Sequence, residues 1–300
     1  MTAQVTAHQR PAPSGVRTWV AGARLKTLPV TLAPIAVGTG IAHSLGQVLW
    51  WRTVLTLLFM LGFVIGTNYF NDYSDGIRGT DDERLGPSRL VGSGRATPRQ
   101  VLRAGVLLYA VAIVTGAVMA VTVSWWIIPL TAYCGLAGWF YTGGPRPYGY
   151  RALGDLSIFV FHGVVMVSAT TGIQLGHVPP LALGASVPMG LLSCALLTTN
   201  NLRDIRTDAA AGKITVAVLL GEKRTRAYYV LCVAAAFASA LLLAGARPWA
   251  ALVIAAVPSA VFPLRRVLSG AQGRDLIPAL EHTCLLLLAF GAVLAIGLSL

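Results

Sequence analysis

Apolar residues in this chain gather into nine long runs, at about 26–43, 53–71, 104–122, 124–142, 153–174, 183–200, 228–245, 248–264 and 279–300. Several approach or exceed the roughly 18 residues that a helix needs to cross a bilayer core. The expected fold class is all-α: a polytopic membrane protein with nine transmembrane helices. Runs three and four are separated by almost nothing polar, and Trp125 and Trp126 mark an interface there, so a tight outer hairpin is expected between them.

The basic residues between those runs are strongly biased to one side. Counted alternately around nine spans, one face receives Arg10, Arg17, Arg24 and Lys26, then Arg78, Arg84, Arg89, Arg95, Arg99 and Arg103. Arg146, Arg151, Arg203, Arg206, Lys213, Lys223, Arg224, Arg226, Arg265, Arg266 and Arg274 follow on the same face. That is 21 of the 23 Lys and Arg residues, and only Arg52 and Arg247 fall on the other. Such a bias places the amino terminus and this face on the cytoplasmic side of the cell (plasma) membrane. Residues 1–16 hold no long apolar core and read as a disordered cytoplasmic tail without a cleavable signal, leaving 17–300 as a single transmembrane domain.

Composition narrows the classes further. A mean hydropathy of +0.69 with 55% apolar residues excludes an ordinary soluble domain. A net charge of +12 suits loops facing an anionic leaflet, so membrane lipid is the expected partner and nucleic acid is not. Cys134, Cys194, Cys232 and Cys284 all lie within apolar runs with no close spacing, which supports neither a disulfide framework nor a metal-ligand set.

Only 11 residues are acidic, and seven of them sit in two short stretches: Asp72, Asp75, Asp81, Asp82 and Glu83 in the first, Asp204 and Asp208 in the second. The first reads Asn68-Tyr-Phe-Asn-Asp-Tyr-Ser-Asp75 at the end of the second run. Asn71 and Asp75 are four apart, as are Asn68 and Asp72, so a helix continued to about Asp75 projects them along neighbouring lines of one face. The second reads Asn200-Asn-Leu-Arg-Asp204-Ile-Arg-Thr-Asp208 at the end of the sixth run. At an offset of 129 residues Asn71 falls on Asn200, Asp75 on Asp204, Asp72 on Asn201 and Gly79 on Asp208. Two internal repeats with one site between them are expected.

Hard oxygen ligands in pairs suit Mg2+, which favours one or two carboxylates plus substrate phosphates over an all-protein cage. Arg78, Arg203 and Lys213 would neutralise the remaining phosphate charge. Asn and Asp also end helices and open turns at any surface loop. That reading accounts for one motif, whereas two copies at matching helix ends in a chain so poor in acids favour a site.

Five stretches carry a family resemblance: Ala-Arg24-Leu-Lys26-Thr-Leu-Pro29, Asn71-Asp72-Tyr-Ser-Asp75-Gly-Ile-Arg-Gly79-Thr-Asp81, Gly-Pro87-Ser-Arg89, Tyr141-Thr-Gly-Gly-Pro-Arg146-Pro-Tyr-Gly-Tyr150 and Asn200-Asn201-Leu-Arg203-Asp204. From about Arg17 onward the chain resembles the UbiA-type superfamily of intramembrane prenyltransferases, and within it the branch that prenylates dihydroxynaphthoate for menaquinone. The resemblance implies a helical bundle around a central cavity. It implies transfer of a polyprenyl group from polyprenyl diphosphate to 1,4-dihydroxy-2-naphthoate, with loss of CO2 and diphosphate, giving demethylmenaquinone. Asn71, Asp72, Asp75, Asn200, Asp204 and Asp208 would be the catalytic set, with the four aspartates holding Mg2+. Gly79 stands where other branches carry a third acid, which leaves Asp81 as the candidate replacement.

Substrate contacts are expected from Asn68, Arg78, Asp81, Tyr141, Arg146, Asp155, Arg203, Lys213, Arg24 and Lys26. Some have competing readings: interfacial anchoring for Tyr141, topology for Arg146, a first-turn charge for Asp155, and snorkelling for Arg24 and Lys26. His162 stays outside the set, since a backbone carbonyl satisfies a lone histidine as well as a substrate does. Another aromatic acceptor, hydroxybenzoate or haem, is the nearest alternative, and a secondary transporter a more distant one. Against transport, the acids sit at helix ends on one face and not near the midplane.

Overall fold

A computed structural model describes residues 15–46, 48–80 and 89–300, with the side chain of Arg17 excepted. The proposed tail up to residue 14 and the acids Asp81, Asp82 and Glu83 lie outside the described residues. Among those described no strand forms, and one parallel bridge joins Arg151 to Ile214. A short α1 (Val16–Gly22) precedes α2 (Pro29–Ser44) and α3 (Trp50–Ile77). The hairpin α4 (Pro98–Thr122) and α5 (Ile127–Thr142) follows, and α6 (Gly154–Ile158) runs through a π-helical turn, Phe159–Val165, into α7 (Met166–Leu175). Next come α8 (Pro180–Arg203), the short α9 (Ile205–Ala210) and α10 (Val216–Leu242). A 3-10 stretch, Pro248–Ala256, leads into α11 (Val257–Leu268), and α12 (Ile277–Ser299) closes the chain.

Local signals set these boundaries. Proline opens the first turn of α2, α4, α8 and α12, where its missing N–H has no intrahelical acceptor to lose. Thr97 caps α4 in a reciprocal pair with Gln100, whose side chain takes the Thr97 amide at 2.9 Å. Gly221 breaks α10 near its start by adopting a φ of 72°, a left-handed conformation open to glycine.

Among the described residues seven helical segments are long and apolar enough to span a membrane, or eight if the bent pair Thr18–Thr27 and Pro29–Ser44 counts as one. The expected nine is therefore too many: α5 falls short on either count, and α2 as well unless it is joined to the bent segment before it. The 16 residues of α5 rise about 24 Å, less than the roughly 30 Å of a hydrocarbon core. The hairpin nevertheless turns at Trp125 and Trp126 as expected, between the ends of α4 and α5. It also returns the chain to the end of α3, because Thr142 Oγ1 donates to Asn71 Oδ1 at 2.7 Å.

Two large apolar cores form. One gathers α2, α8, α10, α11 and α12 around Met189, Tyr229 and Phe290. The other gathers α2, α3, α4, α5 and α7 around Phe59, Phe63 and Tyr109. Helix α2 serves both, with Val37 and Ile41 in the first and Ile35 in the second. The π turn seats directly on α8, where a Cβ on Gly163 would lie 2.6 Å from the Gly190 Cα and 2.7 Å from the Ser186 carbonyl oxygen. Small residues permit such backbone approach between helices in lipid, where apolar side chains gain nothing by leaving the tails.

Candidate active site

Between the two cores lies a cavity of about 220 Å3. Its polar end is formed by Arg24, Thr27, Thr67, Asn68, Asn71, Tyr141, Tyr148 and Asn200, and its body by Met60, Phe63, Val64, Phe161, Val165, Met166, Leu196 and Leu197. The amides of both sequence motifs therefore share one chamber, polar at the helix ends and apolar along its length.

Helix α3 continues past its apolar run through Asn71, Asp72 and Asp75 because each buried polar group finds a partner there. Asp72 accepts from the backbone N–H groups of Leu90 at 2.8 Å and Val91 at 3.0 Å, anchoring those residues to the end of α3. Its face is thus not shared with Asp75, whose Oδ1 accepts from the Tyr150 hydroxyl at 2.8 Å and whose Oδ2 lies 3.9 Å from the buried Arg89 guanidinium. Arg78 donates to the carbonyls of Thr142 and Gly144 and so ties the end of α3 to the end of α5. Asn68 donates to the Ala23 carbonyl at 3.3 Å.

The second motif sits where α8 gives way to α9. Arg203 forks onto its neighbour Asp204, with Nε at 2.8 Å and an Nη at 2.5 Å, and also donates to Asn200 Oδ1 at 2.7 Å. Lys213 reaches Asp208 at 3.2 Å. All four of Arg203, Asp204, Asp208 and Asn201 are buried, a placement that ionised groups tolerate only when matched.

One loop joins the two motifs. The 3-10 turn Tyr148–Tyr150 after α5 pairs with the loop after α9, the Ala152 N–H donating to the Ile214 carbonyl at 2.7 Å and the Ile214 N–H to the Tyr150 carbonyl at 3.1 Å. Tyr150 lies under both Arg78 and Lys213, each 5.8 Å from its ring centroid. Burial and the nearby Asp75 charge push its phenol above the usual tyrosine range, so it remains a donor. Tyr148 donates to the Ala137 carbonyl at 2.7 Å and meets Tyr141 edge-on at 5.4 Å. Tyr141 itself lies within electrostatic range of Asp75, Asp155 and Asp208.

The other expected residues are placed less centrally. Arg24 lines the cavity and holds a left-handed φ of 55°, an uncommon state for a residue with a Cβ. Lys26, by contrast, pairs with Glu281 at 2.7 Å on an exposed surface, which gives Glu281 a partner the sequence did not reveal. Arg146 is exposed on the loop. Asp155 is buried at the first turn of α6 beside Tyr228, outside the cavity wall, and its carbonyl accepts from the Cys194 thiol at 3.3 Å. His162, which the sequence left aside, lines the cavity from the π turn. Sequence reasoning also missed Thr142, Tyr150 and Arg89 as site residues, although all three stand within the quoted motifs.

Among the described residues no group of three or more His, Cys, Asp or Glu side chains is close enough to hold a metal ion. The donor chemistry suits Mg2+, since Asn71 and Asn200 line one cavity and Asp75, Asp204 and Asp208 lie buried near basic residues that suit phosphate. The set resembles a receptor for a metal with its diphosphate more than a cage for a bare ion.

Residues 31–280 match the model of the UbiA prenyltransferase family. The chain is 47% identical over 277 residues to the 1,4-dihydroxy-2-naphthoate octaprenyltransferase of Mycobacterium tuberculosis, covering 92% of this chain and 95% of that one. It is 32% identical over 287 residues to the protein of the same name from Escherichia coli, covering 90% and 91%. Among solved structures, a UbiA homolog from Archaeoglobus fulgidus bound to GPP and Mg2+ shares the fold, with a TM-score of 0.67 at 17% identity over 92% of this chain and 99% of that one. The extent of these matches, together with the paired motifs around one cavity, means that the chain is a multi-pass membrane enzyme belonging to the UbiA prenyltransferase family.

Proposed function

We propose that this protein transfers a polyprenyl group from polyprenyl diphosphate to 1,4-dihydroxy-2-naphthoate, working at the cytoplasmic face of the plasma membrane. The observation that carries the reading is the joining of both motifs across one loop, at the polar end of an apolar cavity. Relatives named for this reaction, similar along more than nine-tenths of their length, support the choice of acceptor.

Asp75, Asp204 and Asp208 would hold Mg2+ together with the diphosphate, while Asp72 keeps its place on the Leu90 and Val91 amides. Bound there, the metal would stabilise charge on the leaving diphosphate. Arg203 and Lys213 already lie on the carboxylates of the second motif and would turn to the phosphate oxygens as the ligand arrives. When the allylic C–O bond breaks, its electron pair leaves with the diphosphate. The apolar walls at Phe63, Phe161 and Leu197 would keep water from the prenyl cation. The electron-rich naphthoate ring then forms the new C–C bond, and its carboxylate leaves as CO2 to give the quinol form of demethylmenaquinone. Arg24, on the cavity wall, would meet the acceptor's carboxylate before that step.

The test is turnover by purified protein with Mg2+ and polyprenyl diphosphate, offering dihydroxynaphthoate and hydroxybenzoate in parallel. The expected product has the mass of the prenylated, decarboxylated naphthoquinol, with CO2 and diphosphate in equal amounts. Prenylation of hydroxybenzoate alone would overturn the assignment of the acceptor.

A further inference from the structure

We infer that Tyr150 is a positioning residue that holds the two half-sites in register, acting on Asp75 through its hydroxyl and on Lys213 through its ring. This rests on the reading above, in which Asp75 and Lys213 serve the metal and the diphosphate. The phenol donates to Asp75 Oδ1 at 2.8 Å and, with that hydrogen committed, accepts from Thr80 Oγ1 at 3.0 Å. A carboxylate fixed through one oxygen offers the other in a set direction, which is how outer-shell donors orient metal ligands.

On its faces the same ring carries charge from both motifs: Arg78 from the first, and Lys213, the partner of Asp208, from the second. A cation over an aromatic face is held by the ring quadrupole without consuming its N–H donors, so Lys213 keeps donors for phosphate. The main chain of Tyr150 adds a third link, its carbonyl accepting from the Ile214 N–H at 3.1 Å, next to Lys213. One residue therefore touches both motifs by hydroxyl, ring and backbone, across 75 positions to Asp75 and 63 to Lys213.

The substitution Y150F keeps the ring and the backbone link and removes only the donor to Asp75. Y150L removes the aromatic face as well. In the full-length protein, Y150F should raise the Mg2+ concentration for half-maximal activity by about tenfold to a hundredfold, the usual effect of losing such an outer-shell donor. That factor should exceed its fall in kcat at saturating Mg2+. Y150L should show the same shift and, unlike Y150F, a raised KM for the prenyl diphosphate. A second readout needs no turnover: Mg2+ with inorganic diphosphate should raise the melting temperature of the unaltered protein, and Y150F should require proportionately more Mg2+ for the same rise. A Y150F protein with unaltered Mg2+ dependence in both readouts would overturn the inference. D75A separates the two levels, because its loss of turnover beside a silent Y150F removes the role of Tyr150 alone, whereas an active D75A removes the reading of the site.

Discussion

Asp72 and Asp75 stand three residues apart on α3, and the environment gives them different partners. Both oxygens of Asp72 hold backbone amides, so Asp72→Asn should leave one buried N–H without its acceptor and lower stability by about 1–3 kcal/mol. Turnover at a temperature below unfolding should fall less than about tenfold. Asp75→Asn should do the reverse, with little change in melting but a rate lower by about a hundredfold to a thousandfold, as when one electrostatic stabiliser of a transition state is lost. Thermal unfolding and turnover on the same two preparations check the split, and an Asp72→Asn protein that melts normally but is inactive would return Asp72 to the metal set. The motif marked both acids, since their rarity and spacing are visible in the chain. What it concealed was orientation: the Leu90 and Val91 amides and the Tyr150 hydroxyl meet them from loops 18, 19 and 75 positions away, and no local period reports such contacts.

At the scale of the elements, hydrophobic runs located most of the helices but misjudged where they end. The run at 53–71 corresponds to α3, which extends to Ile77 because partners on α5 and on neighbouring loops satisfy its last polar residues. The run at 228–245 corresponds to α10, which begins earlier, at Val216, through the polar turn Glu222–Arg226. Apolar content marks the part of a helix in lipid, while hydrogen bonding sets its full length. The π turn in the segment 153–174 was not legible, since its sequence is continuous with that of an ordinary apolar helix. It packs closely on α8 where Gly163 meets Gly190, so Gly163→Val should force the π turn and α8 apart, costing about 1–3 kcal/mol by overpacking. His162, carried into the cavity wall by the same turn, would shift with it. Melting and acceptor KM should therefore change together, and a Gly163→Val protein with unchanged melting would show that the seat on α8 is loose.

Considered whole, the proposed reaction calls for two different approaches to one cavity. The proposed polyprenyl tail is far longer than a chamber of about 220 Å3 can hold, and each buried CH2 is worth about 0.8 kcal/mol, so on this reading its donor would come from lipid and leave its chain between helices. The aromatic acid is small and anionic, and on the proposed reading it would approach the loop face rich in Lys and Arg, where Arg78, Arg203, Arg206 and Lys213 stand. A field of that kind raises the local concentration of an anion, and salt screens it over about 10 Å at 0.1 M and about 3 Å at 1 M. Raising ionic strength tenfold at fixed free Mg2+ should therefore raise the acceptor KM severalfold, while the donor KM responds more to a change of lipid or detergent than to salt. Arg24 gives the control within the cavity wall: Arg24→Gln should raise the acceptor KM at every ionic strength without removing its salt dependence, because a single contact is lost and the broad field remains. An acceptor KM indifferent to salt across that range would mean that the naphthoate, like the prenyl donor, enters from the membrane.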